Sequence, residues 1–97
     1  MPSAPAARVD KSIVKALAWA RDLRWRLEHG KSLNELAQSD RCSRPYVSSL
    51  IRLAYLALDI TRAIVDGTQP ARLTLADLVS RDIPLDWAEQ RRSFGFL

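Results

Sequence analysis

The sequence predicts an all-α fold, a compact domain of five to six helices that contains a helix-turn-helix. Three observations predict it. Apolar residues recur at spacings of three and four along most of the chain. No segment alternates with period two for long enough to form a strand. Helix start and stop residues punctuate the pattern at short intervals. With 97 residues there is room for one core and no second domain. Residues 1–8 carry two prolines and no apolar period, and read as a disordered arm ahead of a single domain over residues 9–97.

The elements follow in order. Val9, Ile13, Leu17, Ala20, Leu23 and Leu27 form one stripe of a first helix of about 19 residues, with Asp10 as N-cap and Gly30 as stop. Asp22 with Arg26, and Arg24 with Glu28, stand four apart on it as ion pairs. Trp19 and Trp25 read as packing residues, and the helix's Lys and Arg side chains mostly as a solvated face. Ser32 and Glu35 have the spacing of a capping box, opening a short helix through Leu33, Leu36 and Ala37. After a turn over residues 40–42, Ser43 caps a longer helix expected over residues 44–58, with Pro45 in its first turn, where a missing N–H costs nothing. Asp59 is the expected cap of a fourth helix through Ile60, Ile64 and Val65, stopped by Gly67. Thr74 caps a short helix containing Leu75 and Leu78, and Pro84 opens a last turn or two through Trp87 and Arg91.

Composition narrows the function. One cysteine and one histidine leave no internal disulfide, no cysteine-rich zinc site and no metal cluster, so no cofactor or metal is expected. The central uncharged apolar run, residues 53–58, is far shorter than the roughly 20 residues of a membrane span. Residues 1–8 lack the apolar stretch of a secretory signal, so the expected compartment is the cytoplasm. Ser43 and Ser48 lack a neighbouring base and orienting acid, and no enzyme activity or small-molecule substrate is expected. The formal charge is +4 and unevenly spread. Residues 1–52 hold ten basic and five acidic side chains, net +5, whereas residues 53–97 hold five and six, net −1. The basic half is where a polyanion partner would bind.

Residues 33–52 carry the functional argument. A helix-turn-helix needs a small residue where its second helix crosses the first, and apolar residues at fixed offsets to hold the pair. Ala37 is that small residue, Cys42 follows five positions later as a turn plug, and Val47 and Leu50 follow at ten and thirteen. Arg41 occupies the tight turn where glycine is common; a non-glycine there can adopt a left-handed backbone at modest cost, the alternative being a slightly different turn. Removing the core positions from the second helix leaves Ser43, Arg44, Pro45, Ser48, Ser49 and Arg52 facing outward, with Tyr46 at the rim, its hydroxyl able to reach a phosphate, or else a packed rim aromatic. Arg44, Ser48 and Arg52 stand at i, i+4 and i+8, and residues 43–58 contain no Asp or Glu. Small serines would let the helix sink into a major groove, arginines can fork onto guanine, and free N–H groups at the Ser43 end suit phosphate. Ser32 and Asn34, at the start of the preceding helix, would hold the DNA backbone.

Ser32-Leu33-Asn34-Glu35-Leu36-Ala37, followed by residues 43–53 (Ser-Arg-Pro-Tyr-Val-Ser-Ser-Leu-Ile-Arg-Leu), resembles the helix-turn-helix of ParB/KorB-type partition and operator-binding proteins. Residues 46–66, then Gly67-Thr68-Gln69-Pro70, Leu73-Thr74-Leu75 and residues 85–92, resemble the C-terminal DNA-binding segment of large serine recombinases of phages and mobile elements. Either resemblance implies site-specific binding of double-stranded DNA, in transcription regulation, partition or recombination. Neither family's catalysis carries over, since no partition-type nucleotide-binding motif precedes the helix-turn-helix and no recombinase catalytic domain fits the chain. One reading helix covers only a few base pairs, so a homodimer or a larger protein partner is expected. Trp87, Phe94 and Phe96 are the candidate contact, with closure of the monomer core by Trp87 as the alternative. The competing function is a helical protein-interaction adaptor of a recombinase or transcription complex.

Overall fold

After a first helix of 18 residues, the helix-forming segments of this chain have nine residues or fewer, and most open at a side-chain cap. The computed structural model describes residues 8–80 and 82–96. Among them are six α-helices and one 3-10 turn: α1 Lys11–Glu28, α2 Leu33–Ser39, α3 Arg44–Arg52, the turn Leu53–Tyr55, α4 Leu58–Asp66, α5 Leu75–Ser80 and α6 Trp87–Phe94. The all-α architecture is the one the periodicity predicts. Asp10 caps α1 by accepting from the N–H groups of Ser12 and Ile13. Ser32 and Glu35 make the complete capping box of α2, Ser43 accepts from Tyr46 N–H at α3, and Thr74 exchanges bonds with Asp77 at α5. The arm expected over residues 1–8 lies outside the described residues except for Arg8. The Arg8 N–H donates to Gly67 O at 2.9 Å, and Gln69 Nε2 donates to Arg8 O.

Ile13, Ala16, Leu17, Ala20 and Leu23 of α1 meet Leu36 of α2, Val47, Leu50 and Ile51 of α3, Ile60 and Ile64 of α4, Leu78 of α5 and Phe94 of α6 in one core. α1 packs against α2, α3, α4, α5 and the 3-10 turn, and α3 against α1, α2, α5 and that turn. Val9, the first residue of the expected stripe, is half exposed, because α1 starts after it.

Three expectations are corrected here. The helix expected over residues 44–58 ends at Arg52, tightens into the 3-10 turn, and becomes extended at Leu56 and Ala57. Leu58, the last residue expected in that helix, instead begins α4 and is 72% exposed. Asp59 is not the cap of α4; Ala57 holds that position, and the Asp59 carboxylate instead takes a two-pronged bond from Arg91 at 2.6 and 3.1 Å. Pro84 does not open the last helix, which Asp86 caps by accepting from Glu89 N–H.

One buried polar side chain explains the break. Gln90 of α6 is 1% exposed and fully bonded. Its Oε1 accepts from Ala57 N–H at 2.7 Å, while Nε2 donates to Tyr55 O at 3.2 Å and Pro84 O at 2.7 Å. The chain can leave the helix at residues 55–57 because an amide three helices later serves the backbone groups freed there. Replacing Gln90 with Leu strands one buried N–H and two carbonyls. Gln90→Leu is expected to lower unfolding free energy by about 2–4 kcal/mol in chemical denaturation, while Gln38→Leu on exposed α2 stays within about 0.5 kcal/mol.

Candidate nucleic-acid interface

Two short helices, α2 and α3, are joined by residues 40–43, and the way α2 ends determines how α3 is presented. The Cys42 N–H bonds Ala37 O at 3.0 Å and the Arg41 N–H bonds Gln38 O at 3.4 Å. This 6→1 and 5→2 pair is the Schellman ending, which requires a left-handed residue between helix and exit. The same pair closes α1, α4 and α6 around Gly30, Gly67 and Gly95. At α2 the residue is Arg41, with φ of 55°, the only non-glycine with positive φ among the described residues. Of the two alternatives open at Arg41, the left-handed turn is the one adopted. Cys42 is half-buried beneath it, and burial, with a smaller contribution from Asp40, pushes its thiol pKa up.

Asp40 ties this turn to α1. Arg26 donates through both Nη atoms to Asp40, at 3.0 Å to Oδ1 and 2.7 Å to Oδ2. The indole N–H of Trp19 donates to Oδ2 at 2.6 Å, and Ser39 Oγ donates to Oδ1. Arg26 also pairs with Asp22 at 2.8 Å, and is not one of the solvated cations expected on α1. A carboxylate at a helix C-terminus faces the wrong end of the dipole. The guanidinium bond from Arg26, followed by the bonds from Trp19 and Ser39, nonetheless holds Asp40 far below the usual carboxylate range. Trp19 in turn lies 6.0 Å, centroid to centroid, from the ring of Tyr46 on α3. Tyr46 is thus a half-buried packing aromatic that links α3 to α1.

The other site residues stand as follows. Ser43, Arg44, Pro45 and Arg52 are exposed, as are Ser32 and Asn34 at the start of α2. The hydroxyls of Ser32 and Ser43 accept helix N–H groups. Ser48 and Ser49 are half-buried, with α3 packed against α1, α2 and α5. Arg44 and Arg41 have no ion-pair partner among the described residues, whereas Arg52 Nη1 donates to Asp82 Oδ1 at 3.1 Å. α3 itself carries no carboxylate, but the segment after α5 brings one to its C-terminal end.

Sequence reasoning assigned no binding role to Arg41 or Asp82. The first had a signal, an arginine where glycine is favoured; the second had none, standing 30 residues away. Trp25, expected to pack, is 59% exposed and stacks on His29 at 3.9 Å. The apolar set of Trp87, Phe94 and Phe96 is divided: Phe94 is core, Phe96 half-buried and Trp87 55% exposed, so Trp87 does not close the core.

Among the described residues no three His, Cys, Asp or Glu side chains are placed to hold a metal ion, and no helix is long and apolar enough to cross a membrane. No family model matches the chain, and neither does any curated protein or solved structure.

Because Asp40 is charged well below the pH where an unfolded aspartate is protonated, its contribution is complete above about pH 4 and fades as acid protonates the folded state. Asp40→Asn is expected to lower stability at pH 7 by about 1–3 kcal/mol, the penalty of leaving Arg26 partly buried without its main partner. Urea titrations of the two proteins should converge as pH falls from about 4 toward 2, with wild type losing the advantage.

Proposed function

We propose that this chain is a sequence-specific double-stranded DNA-binding protein in which α2 and α3 act as a helix-turn-helix and α3 enters the major groove. One observation carries the reading: α3 exposes Arg44 and Arg52, has no acidic residue of its own, is capped by Ser43 and is preceded by Arg41, which has no ion-pair partner among the described residues. Arg44 and Arg52 are eight residues apart, which at about 1.5 Å per residue separates them by about 12 Å along the axis. Arg44, at the helix start, is the base reader. Arg52, at its end, meets a flanking phosphate. Ser48 and Ser49 allow close approach, and Ser32 and Asn34 contact the other strand's backbone. Tyr46 supports α3 from behind through Trp19.

A second reader is needed for a useful operator, and a homodimer or a larger partner would supply it. Leu85 and Trp87, 92% and 55% exposed beside α6, support a protein contact there and favour the adaptor as the alternative reading. Salt separates the two. DNA binding through about five phosphates predicts a log–log salt slope near −4 to −5, whereas an apolar contact would be almost indifferent.

The Arg44→Ala/Arg52→Ala double variant is expected to lose at least tenfold in affinity for duplexes selected from a random pool, with melting temperature within about 2 °C of wild type, since both side chains are exposed. Unchanged binding by a folded double variant would refute the assignment of α3.

A further inference from the structure

The acidic side chain at the end of α3 stands out against its surroundings. Asp82 is fully exposed, with no desolvated pocket holding it, yet its carboxylate lies 3.1 Å from one nitrogen of Arg52. The bond is single, so most of the five N–H donors of that guanidinium point elsewhere. Arg44 and Arg41, nearer the start of α3, have no such partner among the described residues. The three arginines around α3 are therefore unequal: two have no ion-pair partner among the described residues, and the third gives one N–H to a carboxylate that a duplex would have to displace.

Resting on the DNA-binding reading above, we infer that Asp82 is an affinity-limiting residue of the interface, an internal stand-in for a backbone phosphate that competes for Arg52. A phosphate and the Asp82 carboxylate make the same kind of charge-assisted bond to a guanidinium, and in one place they exclude each other by like-charge repulsion. Phosphate contacts supply the sequence-independent part of DNA affinity. Setting Arg52 against Asp82 lowers that part while leaving Arg44 free to read bases. The result is weaker binding to arbitrary duplex and a larger ratio between specific and non-specific sites. Arg52 engages only where the duplex is seated closely enough for its phosphate to outcompete the carboxylate.

The experiment uses the full chain and a fluorescent random-sequence duplex of about 25 base pairs, followed by anisotropy over a salt series. Four proteins are compared: wild type, Asp82→Asn, Arg52→Ala and the double variant. Asp82→Asn is expected to tighten binding about three- to tenfold at low salt and to steepen the salt slope by about one. In the Arg52→Ala background the same substitution should change affinity less than twofold. An equal gain in both backgrounds would overturn the inference, because Asp82 would then act only through the overall field. Weaker binding by Asp82→Asn would overturn it too, by making Asp82 a support for Arg52. Wild-type binding unaffected by Asp82→Asn defeats this inference alone, and absence of duplex binding by all four proteins defeats the DNA-binding reading with it.

Discussion

The Asp40 carboxylate is the contact on which the geometry of α2 and α3 depends. It sits at the C-terminal end of α2, where a negative charge is least welcome, and is kept charged by Arg26, Trp19 and Ser39. Trp19 and Arg26 are seven residues apart on α1, two turns on one face, so a single helix grips the turn from two levels. Trp19 then passes the constraint to α3 through Tyr46. A short helix of seven residues has little stability of its own. Its direction is set by this clamp and by the apolar contacts of Leu36 with the core.

The turn itself illustrates a local conflict with a local solution. Among the described residues four helices end with the same two backbone bonds, and three use glycine for the left-handed residue. The fourth uses Arg41, at a cost of about 1 kcal/mol or more in backbone strain. That cost falls at the exposed turn leading into α3, where the side chain adds positive charge beside Arg44. A residue that is unfavourable for the turn is thus favourable for an interface with a polyanion.

At the other end of the molecule, Gln90 decides where the chain bends. Leu53, Ala54 and Tyr55 have nothing in their composition that ends a helix, and no glycine or proline stands between Pro45 and Gly67. The helix stops because Gln90 accepts the Ala57 N–H and serves the carbonyls of Tyr55 and Pro84 better than continued helix would. The same interaction leaves Leu58, Leu85 and Trp87 outside the core, each within three residues of a group bonded to Gln90.

By itself, the sequence determined the helical class, the caps at Asp10, Ser32, Ser43 and Thr74, the stops at Gly30 and Gly67 and most of the buried stripe of α1, and it narrowed the turn at Arg41 to two forms. These are interactions among residues within four or five positions of one another, so their pattern is written in the order of side chains. Only the tertiary structure decided that α3 ends at Arg52, that Asp59 serves Arg91, that Trp87 and Leu58 stay outside, and that Asp82 reaches Arg52. Each depends on groups some 30 residues apart that meet only after the helices pack. Spacing along the chain says nothing about which distant carboxylate or amide will arrive.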